Sequence, residues 1–182
     1  ILEKIIRVDL QGIQKIDANY VENTYKILNT LAVSSPNEVS YSFLANQIKQ
    51  NARVVETILS ALKGAGVVYL LLPFKKSSIL VRKEQKILLA LPFRHVLASN
   101  LGIPLEAIKG GVREDAFVTN TFELKPKYVK TERERKTPDY VISGKTFEVG
   151  NHDYKHDTDY YVKEELVLKE DVIPLALMCL LL

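Results

Sequence analysis

The sequence predicts an α+β chain with a helical first part and a strand-rich second part. Three observations lead to it. Apolar residues recur at helical spacing as far as Leu62, short β-like runs take over from Lys127, and charge is divided unevenly between the two parts. Residues 1–100 carry 13 Lys and Arg against 7 Asp and Glu, a balance of +6, whereas residues 101–182 carry 12 against 15, a balance of −3. The basic part is the better suited to meeting phosphate and the acidic part to holding a metal ion. A mixed, solvated surface accounts for the same numbers.

The remaining bulk properties set bounds. With 182 residues, 47% hydrophobic and 26% charged, the composition is globular and sufficient for one or two cored domains. The single cysteine, Cys179, excludes a disulfide framework and a cysteine-based zinc site, so a cytoplasmic location is expected. His152 and His156 have i,i+4 spacing, but no apolar pattern supports a helix there, and the segment reads as a solvated loop. The apolar tail Ile173–Leu182 is half the length needed to cross a bilayer and starts next to Pro174, so no membrane partner is expected. The chain begins mid-pattern at Ile1 without an initiator Met, as a piece cut from a longer protein would.

Taken in order, residues 1–16 form a short amphipathic opening. Asn19 and Glu22 make a capping box for a helix with Val21, Tyr25, Leu28, Leu31 and Ala32 on its apolar side, ended by the Ser34–Asn37 turn. A second helix starts near Ser40 and buries Tyr41, Leu44, Ala45 and Ile48. A polar turn leads to Asn51, the N-cap of a third helix with Val54, Val55, Ile58, Leu59 and Leu62 inward and Gly64 and Gly66 at its end. A β-rich run at 67–72, a basic turn containing Lys75 and Lys76, and a returning strand at 79–82 follow, and Lys83–Leu91 holds a further apolar strand. Three short helices and then a ribbon with a basic tip is the order of a winged helix-turn-helix. It makes Lys49, Arg53, Thr57, Lys75, Lys76 and Arg82 the candidate nucleic-acid contacts, although Glu56 in the middle of the third helix's outward face would repel phosphate. Many small helical domains with a hairpin share this order, and docking to protein is the competing use.

The second part opens with a short helix at 93–101, Val96 and Leu97 inward. Gly110-Gly111 is poor helix interior, at about 1 kcal/mol per glycine, and therefore marks a helix start; Val112–Phe122 is then amphipathic, with Glu114 leaning inward, either paired or aimed at a cation. Strands follow at 128–131, 140–142, 146–149 and 161–168, before a terminal helix. Asp139 opens one strand and Glu148 lies in its hairpin partner across Ser143-Gly144, which puts two carboxylates at one sheet end. An ordinary hairpin with two exposed acids has the same spacing. Gly144-Lys145-Thr146 imitates the end of a P-loop, but the first glycine of that motif falls on Asp139 and no helix follows.

Three segments, the cut-off opening before a winged helix, QKILLALPFRHVLASNLG with GGVREDAFVTNTF, and PDYVISGKTFEVG, together resemble the C-terminal part of the predicted prokaryotic AAA-superfamily ATPases. The ending DVIPLALMCLLL resembles that family's closing strand and helix. The resemblance implies residues 1–20 as the end of a preceding domain or linker, 21–91 as a winged helix, and 92–182 as a small α/β domain of the restriction-endonuclease-like PD-(D/E)xK kind. The ATP-binding domain would lie upstream. Under the resemblance, Glu114 matches the helix Glu, Asp139 the Asp and Glu148 the acid of the motif; these three are the candidate catalytic and Mg²⁺ or Mn²⁺ ligands. The motif Lys falls on Gly150, with Lys145 or Lys155 as replacements, so the resemblance implies lost or weak nuclease activity. Its function would then be that of an accessory ATPase module binding DNA or a protein. The alternatives are a metal-dependent nuclease and a structural oligomerisation or regulatory module working through Tyr69, Phe74 and the apolar tail.

Overall fold

The computed structural model describes residues 2–6, 18–37, 39–74, 85–130, 137–150, 158–166 and 169–178. The chain is mixed α and β and divides into two compact units, Ile1–Leu70 with Ile87–Gly111, and Leu71–Lys86 with Val112–Leu182.

The first unit contains α1 (Leu2–Lys4), α2 (Ala18–Val33), α3 (Tyr41–Ile48), α4 (Ala52–Gly64) and most of a two-stranded sheet of β1 (Val68–Leu71) and β2 (Lys86–Leu89), whose residues Leu71 and Lys86 fall in the second unit. Sequence chemistry fixes its helix starts. The Ser40 hydroxyl accepts from the Phe43 amide at 3.1 Å, and Asn51 Oδ1 accepts from the Arg53 and Val54 amides at 3.0 and 3.1 Å, satisfying donors that a helix start leaves unpaired. Lys49 carries the left-handed turn between α3 and α4 at φ 53°. Ile27, Leu28, Leu31 and Ala32 of α2 meet Leu44 and Ile48 of α3, Val55, Ile58, Leu59 and Leu62 of α4, and Val67, Val68, Ile87 and Leu89 in one core. The expected capping box does not start α2, because Asn19 already lies within the helix that begins at Ala18. The partner of β1 is the apolar strand after residue 85; the returning strand expected at 79–82 lies outside the described residues.

After β2 comes α5 (Phe93–Asn100), which packs on α2 and groups with the first unit. Leu97 is buried as expected, but Val96 is 43% exposed and Arg94 only 2%. The inward position is an arginine: Arg94 Nη1 donates to the carbonyls of Leu31, Ala32 and Ser34 at 2.5, 3.2 and 3.0 Å, where the carbonyls at the end of α2 lack helical partners. The same guanidinium corrects the expectation of a helix start at Gly110-Gly111. Helix α6 (Leu105–Thr121) runs through both glycines, and a Cβ at Gly111 would lie 2.8 Å from Arg94 Cζ and Nε. Gly111 leaves room for the arginine; nothing in the structure explains Gly110.

In the second unit β3 (Lys127–Tyr128), β4 (Tyr140–Ile142), β5 (Lys145–Val149), β6 (Tyr160–Lys163) and β7 (Val172–Pro174) form a sheet in that order, followed by α7 (Leu175–Met178). β3, β4 and β5 are antiparallel; β5, β6 and β7 are parallel. Ser143 at φ 50° and Gly144 at φ 83° make the two-residue turn whose twist suits a hairpin. Residues 72–74 lie along β3, with Tyr128 donating to Leu72 at 3.2 Å and Phe74 to Tyr128 at 2.7 Å, so this edge of the sheet is covered. The last turns of α6 sit on the sheet through Phe117, whose ring is 5.0 Å from Tyr140 and 5.7 Å from Phe147. No helix among the described residues is long and apolar enough to cross a membrane.

Candidate acid centre and basic face

The hairpin register builds the acid centre. β4 and β5 pair Ile142 with Lys145, Val141 with Thr146 and Tyr140 with Phe147. Asp139 stands one residue before β4, and Glu148 follows Phe147 on β5. The Asp139 amide donates to the Phe147 carbonyl, and its carboxylate accepts from the Val149 amide, both at 2.9 Å. Glu148 is half-buried, and its Oε2 is a buried oxygen without a hydrogen-bond partner. Burial, then the charges of Asp139 and Glu114, push its carboxyl up to about 7; Lys86 and the hydrogen bonding with Asp139 pull the other way. The three acids taken from the sequence therefore lie within electrostatic reach of one another.

Glu114 occupies a different position from its two partners. It is buried on α6, and its Oε2 accepts from Lys86 Nζ in a buried ion pair and from the Tyr140 hydroxyl at 2.5 Å. Lys86 Nζ also lies 4.7 Å from the centre of the Tyr140 ring, within reach of its negative face. Burial, followed by the Glu114 charge, holds the Tyr140 hydroxyl well above its ordinary value. Among the described residues no three His, Cys, Asp or Glu side chains are grouped to hold a metal ion.

Lys145 serves another contact. Its ammonium meets Asp159 at 3.0 Å, and Asp159 also accepts from the amide and hydroxyl of Thr146, both at 2.9 Å, which clips β5 to β6. These hydrogen bonds, the Thr146 amide foremost, lower the Asp159 carboxyl to about 2. Lys145 precedes Glu148 by three residues, an odd step along β5 that turns the two side chains to opposite faces. Lys155, His152 and His156 lie outside the described residues.

Sequence reasoning did not single out Lys86 or Tyr140. A signal for Lys86 existed: a lone lysine heading KILL, the one charge in a strand buried at all four positions, needs a buried partner.

On the first unit, Lys49 and Arg53 are exposed and Thr57 is half-buried. Tyr20, Asn51, Arg53, Val54 and Thr57 line a hollow of about 280 Å³ at the start of α4. Glu56, also exposed, adds to the rise of the Tyr41 hydroxyl to about 12, for which burial is the larger cause. Lys75, Lys76 and Arg82 lie outside the described residues.

No family model matches the chain, and no solved structure matches it. It is similar to the uncharacterized protein MJ1637 of Methanocaldococcus jannaschii, 26% identical over 116 residues. The matched stretch is 63% of this chain but 24% of that protein, so the chain corresponds to about a quarter of the relative's length.

Proposed function

We propose that the chain is an accessory C-terminal module of an AAA-type ATPase, whose first unit is a winged helix that binds DNA and whose second unit is an endonuclease-like domain with a degenerate centre. The observation that carries this reading is the state of Glu114: its carboxylate is already engaged by Lys86 and Tyr140, and among the described residues no three acids are grouped to hold a cation. Phosphate contact is assigned to Lys49, Arg53 and Thr57 on the helical face and to Lys75, Lys76 and Arg82 in the sequence between β1 and β2. The three helices followed by a two-stranded sheet and the basic balance of residues 1–100 support it. The greater length of the archaeal relative agrees with a module carried by a larger protein.

The test is DNA binding titrated with salt. Replacing Lys75 and Lys76 together by alanine should weaken binding and flatten the logarithmic salt dependence by about two, since each phosphate contact contributes close to one unit of slope. Absence of DNA binding by the wild type at low salt would remove the DNA half of the proposal and leave protein docking.

A metal-dependent nuclease is the second reading, favoured by the orphaned Glu148 oxygen and the rise of its carboxyl to about 7. Mg²⁺ sites often use one or two carboxylates with water and substrate phosphate completing the shell, and Asp139 and Glu148 would supply such a pair. Under the degenerate reading, wild type and Asp139→Asn show the same background of DNA cleavage in Mn²⁺. Cleavage by the wild type that Asp139→Asn abolishes would establish the nuclease instead.

A further inference from the structure

The acid centre of the second unit contains a cation of its own. Lys86 Nζ and the Tyr140 hydroxyl converge on the same Glu114 oxygen, the lysine side chain is 3% exposed, and its ammonium stands 4.7 Å from the centre of the Tyr140 ring. An ion pair, a charge-assisted hydrogen bond partner and an aromatic face therefore fix one ammonium inside the unit. Asp139 and Glu148 flank the Tyr140–Phe147 pair of the hairpin, and the charges of Asp139, Glu114 and Lys86 all act on Glu148. Three carboxylates and one ammonium sum to −2 when all are ionised, and one of the three negative charges is already matched.

We propose that Lys86 is the resident cation of this centre: its ammonium takes, at Glu114, the place a divalent ion would occupy, and so keeps the centre from loading with metal. A divalent ion between Asp139 and Glu148 meets the ammonium as a like charge and finds Glu114 committed. Lys86 cannot withdraw into water without vacating a buried position on β2. It is a positioning residue that engages the Glu114 carboxylate. This inference rests on the reading of the centre as degenerate.

The test is Mn²⁺ binding by the full chain at one fixed neutral pH, followed by the electron paramagnetic resonance signal of free Mn²⁺, with circular dichroism to establish that each variant is folded. Wild type should bind with a dissociation constant on the order of 1 mM or weaker, at or beyond the weak end of protein cation sites. Lys86→Met removes the charge and should bind at least about ten-fold more tightly, equivalent to 1.4 kcal/mol. Lys86→Gln also removes the charge while keeping a donor for Glu114, and should gain similarly where the methionine variant does not fold. Lys86→Arg keeps the charge and should stay with the wild type. A lysine that only packs the unit gives the opposite result, because its loss loosens the centre and Mn²⁺ binds no more tightly. Equal affinity across the folded variants, or a gain by arginine as large as that of methionine, overturns the inference. Micromolar binding by the wild type overturns it even if both neutral variants unfold, and weak wild-type binding then supports it. Mn²⁺-dependent cleavage by the wild type would remove the degenerate reading itself, whereas unchanged affinities without cleavage remove only the role of Lys86.

Discussion

Arg94→Met is expected to cost about 3 kcal/mol or more of stability, read as a lower urea midpoint at unchanged slope, because charged hydrogen bonds contribute roughly 1.5–3 kcal/mol each and unpaired buried acceptors add their own penalty. The guanidinium is 2% exposed and reaches three carbonyls around the end of α2 from a helix sixty residues further along. The last turn of α2 contains no basic residue, so the helix cannot cap itself with one. Methionine fills much of the volume but donates nothing; Arg94→Lys should fall between, since one ammonium cannot copy the fork of donors. Gly111 gives this prediction a second arm. Replacing an interior helical glycine by alanine ordinarily stabilises by about 1 kcal/mol. Here the new methyl would meet the arginine at 2.8 Å, and although arginine ends are flexible, this one is held by its carbonyls. Gly111→Ala should destabilise the wild type and stabilise Arg94→Met. A stabilised wild type would mean that the guanidinium does not cross α6 at Gly111.

That pair of residues also shows where sequence reasoning stops. Local signals were legible wherever one residue's chemistry decides the outcome: the Ser40 and Asn51 caps, the Ser143-Gly144 turn and the β4–β5 hairpin all follow from side chains within a few positions of their partners. Gly110-Gly111 misled because helix propensity is a local cost, whereas the benefit of Gly111 comes from a side chain seventeen positions earlier in the chain. Val96 misled for a related reason: apolar periodicity has no place for an arginine as the inward residue, and Arg94 faces inward only because α2 ends where it does. At the acid centre the three carboxylates were legible from the hairpin and the amphipathic helix. The cation among them was not, since Lys86 precedes Glu114 by 28 residues and no motif spacing links them.

The second large effect is expected at that ion pair, and a double-mutant cycle states it most sharply. Glu114→Leu leaves the Lys86 ammonium buried without the carboxylate it is paired with, and Lys86→Met leaves the Glu114 carboxylate with only the Tyr140 hydroxyl among its described partners. Removing one member of a buried pair typically costs about 3–5 kcal/mol, because the remaining charge keeps its desolvation penalty and loses its compensation. Replacing both members with apolar residues of similar size removes both penalties together. The Lys86→Met, Glu114→Leu double variant should therefore be more stable than either single variant, with a coupling energy of about 2 kcal/mol or more in urea denaturation. Tyr140 sets the residual cost: its buried hydroxyl loses its acceptor in the double variant, and adding Tyr140→Phe should recover about 1 kcal/mol. An exposed ion pair behaves differently, with single losses below about 1 kcal/mol and almost no coupling. Additive losses would place Lys86 and Glu114 apart in solution, and the assignment of Lys86 as the cation of this centre would fall with the pair.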